Sequence, residues 1–313
     1  MTLSLTFPGQ GSQTIGMGKA LAEAYPAARA VFEEVDDALS EKLSDLIWNG
    51  SQESLTLTQN AQPALMATSL AAFRALQSEG LDLAMHARFV AGHSLGEYSA
   101  LAAAGSFSIA DAARLLRIRG RAMQEAVPVG EGAMAVVLGL DLQSVRDVVK
   151  IAAQGAVCEV ANDNAAAQIV VSGTKSAVER AIDIAKAKGA KRAMLLPVSA
   201  PFHCRLMAPA ADVMAEALSS VAIKAPCVPI VANVLAGPVS EPAEIRARLV
   251  EQVSGSVRWR ESMQWLIDNA VTNQLEVGAG KVLTGLFRRM DGATAAASFG
   301  EPGDLEGARA LWS

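Results

Sequence analysis

Phe89-Val90-Ala91-Gly92-His93-Ser94-Leu95-Gly96-Glu97-Tyr98-Ser99-Ala100-Leu101 is the stretch that decides how this chain folds. The short apolar run 89–91 reads as the end of a buried strand, and 97–104 is rich in helix formers and stopped by Gly105. Ser94 thus falls at a strand-to-helix turn, inside Gly-x-Ser-x-Gly, the pattern of a nucleophile elbow. A sharp turn pushes the serine side chain out, and small neighbours avoid clashes within it. The start of the helix leaves backbone N–H groups free to stabilise an oxyanion. An ordinary turn could show the same pattern by chance; the strand before it and the helix after it are the context that the catalytic reading requires.

Around this stretch lie 313 residues, 51% of them hydrophobic and 19% charged, enough for a large core in one large domain or two. A net charge of −5 gives no global case for nucleic acid or an anionic membrane as partner. The first residues lack a basic segment, and no apolar run is long enough to span a bilayer. Cys158, Cys204 and Cys227 are odd in number and without metal spacing, which fits a reducing cytoplasm. His86, His93 and His203 show no zinc-site spacing, and neither metal nor cofactor is expected. The chain is expected to act as a cytoplasmic monomer.

Residues 3–7 alternate apolar and polar and read as a first strand. It runs into Pro8-Gly9-Gln10-Gly11-Ser12-Gln13, which is no dinucleotide fingerprint but can offer backbone N–H groups to an anion. Helices follow over 17–24, 27–38, 40–48 and 61–78, then a strand over 87–91 and helices over 95–104 and 109–127. Between Pro128 and Pro197 the order is β-α-β-β-α-β, with strands over 133–138, 157–161, 168–172 and 191–196. We read 127–197 as an inserted ferredoxin-like small domain, and 1–126 with 198–313 as a large α/β hydrolase-like domain. After the stiff loop 197–203 come a helix over 203–220, a strand over 230–232, helices over 242–253 and 258–269, a strand over 274–277, a helix over 281–290 and a strand over 295–299. Strands alternating with helices imply a mostly parallel sheet. Gly278-Ala279-Gly280-Lys281 looks like the end of a P-loop but lacks its spacing and the following Ser/Thr.

Two features point to chemistry beyond the serine. At 100° per residue, Ala112, Leu115, Leu116, Ala122 and Met123 share one helix face, and Arg119 lies in the middle of that apolar arc. Arg114, Arg117 and Arg121 fall on the other side, where solvent is expected. A guanidinium on a core-facing stripe is costly unless it meets an anion, either a protein carboxylate or that of a ligand. The serine also needs a base. His93 is its chain neighbour, a poor position for an aligned hydrogen bond, and more plausibly packs beside the turn. His86 precedes the strand and is expected to be exposed. His203 remains, far away in sequence but on a constrained loop; Cys204 beside it reads as a small buried apolar group.

Phe-Pro-Gly-Gln-Gly-Ser-Gln at 7–13, Gly-His-Ser-Leu-Gly-Glu-Tyr-Ser at 92–99 and the Arg119 helix resemble the malonyl-CoA:acyl carrier protein transacylase family. So do Pro-Phe-His at 201–203, Leu-Val-Glu-Gln at 249–252 and the run from Glu276 to Leu286, so that the likeness covers nearly the whole chain in order. The resemblance implies that Ser94 attacks a malonyl thioester and that His203 takes its proton and later activates the incoming carrier-protein thiol. It implies backbone N–H groups of Gln10 and Leu95 on the oxyanion, Arg119 on the malonyl carboxylate, and the main-chain carbonyl of Gln252 orienting His203. Asn162 is similar to the asparagine of the family's small domain that faces the acyl-CoA, and Phe202 resembles malonyl-selecting forms with little room for a methyl branch. Departures are Ala279 where proline is usual, and Ala232 where an asparagine often precedes Asn233.

Rival readings are a serine hydrolase or thioesterase, a non-catalytic carrier-binding module, and an acyltransferase of a polyketide or malonate-decarboxylase system. The first expects the order Ser, acid, His with a late histidine and gives Arg119 no task; the second has no use for Ser94, His203 and Arg119 together. The length favours fatty-acid synthesis over the third. An acidic carrier protein would find basic residues at Lys186, Lys188, Lys191 and Arg192, or at Arg288 and Arg289.

Overall fold

The computed structural model describes residues 2–198 and 200–312; Ser199, which falls in the stretch 197–203 expected to be a stiff loop, lies outside the described residues. The strands are β1 (Leu3–Phe7), β2 (Phe89–Gly92), β3 (Gly132–Leu138), β4 (Cys158–Ala165), β5 (Gln168–Thr174), β6 (Arg192–Leu195), β7 (Ile230–Ala232), β8 (Gly237–Val239), β9 (Asn273–Val277) and β10 (Ala295–Phe299). They form two sheets. The larger runs β10-β9-β1-β2-β7-β8 and is parallel except for the β7–β8 hairpin at its edge. The smaller runs β4-β5-β3-β6 and is antiparallel throughout.

Strand β1 lies in the middle of the large sheet, so its alternation does not mark a wet face: all of its residues are buried. Leu3, Leu5 and Phe7 join the main core with the helices Pro26–Leu39 and Thr58–Ser78. Ser4 and Thr6 point to the opposite face, where Thr6 Oγ1 accepts from Gln274 Nε2 at 2.9 Å. Phe89 and Ala91 of β2 pack on that face against Trp259, Met263 and Phe287. Helices therefore cover both faces of the parallel sheet.

Several boundaries differ from the sequence expectation. The helix expected over 40–48 is Leu43–Asn49, because Ser40 takes a left-handed turn at φ 53° that ends the preceding helix. The helix expected from 61 starts at Thr58 and carries Pro63 as its sixth residue; the Gln59 carbonyl that this proline leaves without a helical donor accepts from Arg117 Nη1 at 2.8 Å. The helix expected from 203 begins at Ala208, where Pro209 opens its first turn, after a short 3₁₀ turn over Arg205–Met207. Short helices at Gln52–Thr56 and Leu83–His86 and the strand β8 carried too little periodicity to be read.

The largest strand correction concerns β4. Asn162-Asp163-Asn164 reads as loop, but the strand continues through two register shifts to Ala165. A parallel bridge between Asn162 and Val257, and bonds Asp163 N to Val257 O and Val257 N to Ala161 O, fasten this strand to the large unit. Asp163, 2% exposed, is held by Arg260 in a fork with contacts of 3.0 and 2.7 Å.

The helix Ile109–Glu125 also departs from expectation. Arg119 is buried as its arc requires, but Arg117 is buried as well, since helices pack on more than one side of this one. Arg117 donates to Gln59 O at 2.8 Å and pairs with Glu41, and burial pushes its pKa down to about 10. Gly120 lies so close to Gln59 that a Cβ would sit 2.5 Å from its Cα.

Candidate active site

Ser94 sits on left-handed backbone, φ 54°, between β2 and the helix Gly96–Ala103. The turn is tight enough to exclude side chains at its flanks: a Cβ on Gly92 would lie 1.9 Å from the Gly96 backbone, and one on Gly96 would lie 2.2 Å from Phe7 O. Asn233 braces it. Its Oδ1 accepts from Ser94 N at 2.8 Å and its Nδ2 donates to Gly92 O at 2.7 Å.

The Ser94 hydroxyl lies 2.7 Å from His203 Nε2. His203 is itself on left-handed backbone, φ 57°, and is buried. Its Nδ1 faces two carbonyl oxygens, Gln252 at 3.0 Å and Gly255 at 3.1 Å. Carbonyls only accept, so Nδ1 carries the proton and the Nε2 lone pair faces the serine hydroxyl. Burial, and then the nearby Arg119 charge, push the His203 pKa down to about 3, so the imidazole is neutral at physiological pH.

Arg119, 1% exposed, completes a triangle: its Nη2 donates to Ser94 Oγ at 3.3 Å. Its fork is held by two neutral amides, Gln62 Oε1 at 2.7 Å from Nη1 and Gln252 Oε1 at 2.7 Å from Nη2, over the Tyr98 ring at 5.8 Å. No carboxylate among the described residues forms an ion pair with it, and Nε has no acceptor. A buried cation with donors to spare is a receptor for an anion.

Ser94, His203, Arg119 and Gln62 line one cavity of about 590 Å³. Gln10, Leu95, Asn162 and Phe202 lie on its wall. The amides of Gln10 and Leu95 have no acceptor among the described residues, which leaves two N–H donors beside the serine. The elements joined are far apart in the chain: the β1 loop, the β2 turn, the Arg119 helix, the β4 bulge and the His203 loop.

His93 packs beside the turn, with Nε2 2.8 Å from Asn164 Oδ1 and its ring tilted against Trp259. His86 is half-buried rather than exposed, and its Nδ1 accepts from Asp82 N at 2.9 Å. Cys204 is buried and donates to Pro201 O at 3.2 Å. The loop over 278–281 does not wait for an anion, because the Glu276 carboxylate already accepts from Leu283 N and Thr284 N at the start of the next helix.

Sequence reasoning missed Gln62, Asn233, Glu97 and the side chain of Gln252. Gln62 had a signal, a polar residue in the buried run Ala61 to Leu65, the same anomaly that exposed Arg119. Glu97 had none, since an acid in the first turn of a helix is ordinary. It is fully buried, accepts from Gln252 Nε2 at 2.6 Å, and burial pushes its pKa up to about 7.

The acyl transferase domain family matches residues 5–289. The malonyl CoA-acyl carrier protein transacylase of Bacillus subtilis (strain 168) is 47% identical over 305 residues, 97% of this chain and 95% of that one. The transacylase of Escherichia coli (strain K12) is 44% identical over 308 residues, 98% of this chain and 99% of that one. Among solved structures, an acyl-carrier-protein-S-malonyltransferase from Bartonella henselae superposes with a TM-score of 0.97 at 57% identity, covering 99% of both chains. A malonyl-transacylase solved in complex with a type II PKS acyl-carrier protein superposes with a TM-score of 0.95 at 43% identity, covering 98% of this chain and 99% of that one. With the fold and nearly the full length shared, this chain belongs to the acyl transferase family of the malonyl CoA-acyl carrier protein transacylases.

Proposed function

We propose that this chain is a malonyl-CoA:acyl carrier protein S-malonyltransferase that works through a malonyl-serine intermediate and feeds fatty-acid elongation. The observation that carries this reading is the triangle of Ser94 Oγ, His203 Nε2 at 2.7 Å and an unneutralised Arg119 guanidinium at 3.3 Å.

Neutral His203 takes the hydroxyl proton as Ser94 Oγ attacks the thioester carbonyl. The oxyanion that forms meets the free amides of Gln10 and Leu95. The C–S bond breaks, and His203 returns the proton to the departing coenzyme A thiolate. In the second half the carrier's phosphopantetheine thiol gives its proton to His203 and attacks the acyl-serine carbonyl. The Ser94 C–O bond breaks and the serine recovers its proton. The malonyl carboxylate, one methylene beyond the carbonyl, pairs with the spare donors of Arg119, which fixes the acyl group during the exchange. No acid is needed behind His203, because two main-chain carbonyls hold its tautomer and a thiolate is an easy leaving group.

We read the turn at Ser94 as a nucleophile elbow and residues 127–197 as a ferredoxin-like insert, supported by the strand order β4-β5-β3-β6 and the alternation with the helices Leu142–Ala153 and Lys175–Ala187. The reading also carries a cytoplasmic monomer with no cofactor, and a carrier docked on Lys186, Lys188, Lys191 and Arg192 or on Arg288 and Arg289, all exposed. Charge reversal at both patches should weaken transfer to the carrier and spare loading from coenzyme A.

Mass spectrometry after mixing with malonyl-CoA tests the proposal: one malonyl adduct is expected on the Ser94 peptide, discharged by carrier protein and absent in Ser94→Ala. An unmodified serine in the wild-type chain overturns it, and discharge to water at the same rate without carrier converts it to a thioesterase. The likeness to a transacylase bound to a type II PKS carrier favours one further reading, in which the acceptor is a polyketide carrier protein. Transfer rates to the two kinds of carrier separate them.

A further inference from the structure

Glu97 is not an ordinary first-turn acid. It is 2% exposed, and the groups that face it are Gln252, Asn233, Arg119 and Tyr98. Its Oε2 accepts from Gln252 Nε2 at 2.6 Å and from Asn233 N at 3.4 Å. Above about pH 7, where its carboxylate is ionised, Glu97 has no hydrogen to offer and only accepts, so the Gln252 amide nitrogen turns toward it. The same nitrogen donates to Ser94 O at 2.8 Å, which commits both of its hydrogens. Gln252 Oε1 is left facing Arg119, whose Nη2 donates to it at 2.7 Å.

We infer that Glu97 is a positioning residue for malonyl selection: through the Gln252 amide it fixes the orientation of the Arg119 guanidinium and holds a counter-charge one amide away from it. The inference rests on Arg119 being the carboxylate clamp. A carboxylate directly on the fork would occupy the donors that the substrate needs. With no negative charge nearby, a buried cation would be costly. An amide between the two meets both demands; the hold on His203 comes from the main-chain carbonyls of Gln252 at 3.0 Å and Gly255 at 3.1 Å, which the Glu97 contact with the Gln252 side chain leaves in place.

The test is Ser94 loading by malonyl-CoA and by acetyl-CoA in the wild-type chain, Glu97→Gln, Glu97→Ala and Arg119→Ala. Glu97→Gln is close to isosteric; Ser94 O and Arg119 still specify the two ends of the Gln252 amide, so this variant removes the counter-charge and weakens the grip on Gln252 Nε2. The malonyl-over-acetyl ratio of kcat/KM should fall by roughly 10-fold or more in both Glu97 variants, while acetyl loading stays within about 3-fold of wild type. A role in folding alone would lower both substrates together and leave the ratio in place, which overturns the inference; so does an unchanged ratio in Glu97→Gln. Should Glu97→Ala fail to fold, Glu97→Gln decides. If Arg119→Ala keeps the wild-type ratio, the clamp itself is wrong. If it loses the ratio while Glu97→Gln keeps it, only the role of Glu97 falls.

Discussion

On the proposed mechanism Arg119 and His203 have separate tasks, and their removal should fail in different ways. Arg119→Ala should lower kcat/KM for malonyl-CoA by about 2–3 kcal/mol, the range of a charge-assisted hydrogen bond, or roughly 30- to 150-fold, with much less effect on acetyl-CoA. His203→Ala should lower both substrates by roughly 10²–10⁴-fold, since it removes the proton acceptor that every acyl group needs. Competition between the two thioesters, read as the ratio of acyl adducts on Ser94, measures the first; single-turnover loading measures the second. These residues were legible in the sequence because each broke a local rule: a charge inside an apolar arc, a histidine on a proline-stiffened loop. Gln62 broke the same rule as Arg119 without a charge to draw notice, whereas Gln252 and Asn233 break none, and the partners of all three are supplied by other helices and strands.

At the scale of elements, the site depends on two close approaches. The first brings the helix Gly96–Ala103 onto the end of β1, with room for no side chain at residue 96. Gly96→Ala sets a Cβ against the Phe7 carbonyl and should cost about 3 kcal/mol or more, at the upper end for overpacking, together with loss of loading. Urea unfolding and Ser94 labelling on one preparation check both. The second is the seat of β4 on the large unit, where Arg260 compensates the buried Asp163. Arg260→Met should destabilise by about 1–3 kcal/mol, discounted because Arg260 is partly exposed. Adding Asp163→Asn should recover part of that loss, because it removes the unpaired charge. A double variant no more stable than the single one would remove the ion pair from the account. The core of the strand-turn-helix pattern is local and could be read directly, whereas β4 past Ala161 could not: Asn162-Asp163-Asn164 is polar because Asn162 and Asn164 line the cavity and Asp163 meets Arg260.

Over the whole molecule, the same buried groups give stability a pH dependence with two opposed slopes. His203, with its pKa pushed from 6.5 down to about 3, stays neutral in the fold while the unfolded chain takes up a proton below about 6.5. Its contribution is present above 6.5 and is lost as pH falls toward 3. Glu97, pushed from 4.5 up to about 7, stays protonated in the fold while the unfolded chain ionises. Its contribution is present below 4.5 and is lost as pH rises through about 7. Between pH 4.5 and 6.5 the two slopes have opposite signs and offset each other. Glu97→Gln removes only the falling one, so its stability should rise with pH relative to wild type across that window, by at most about 1.4 kcal/mol per pH unit for one proton. His203→Asn should tilt the difference the other way, and the double variant should run parallel to wild type. The comparison is between slopes, so His93, lowered by burial, and Glu276, raised by burial, cancel from it, as does any constant loss from the substitution. Urea midpoints at half-unit steps of pH supply the measurement. Single-variant curves parallel to wild type would show that neither group keeps its buried protonation state in the fold, and the neutral base on which Ser94 relies would go with them.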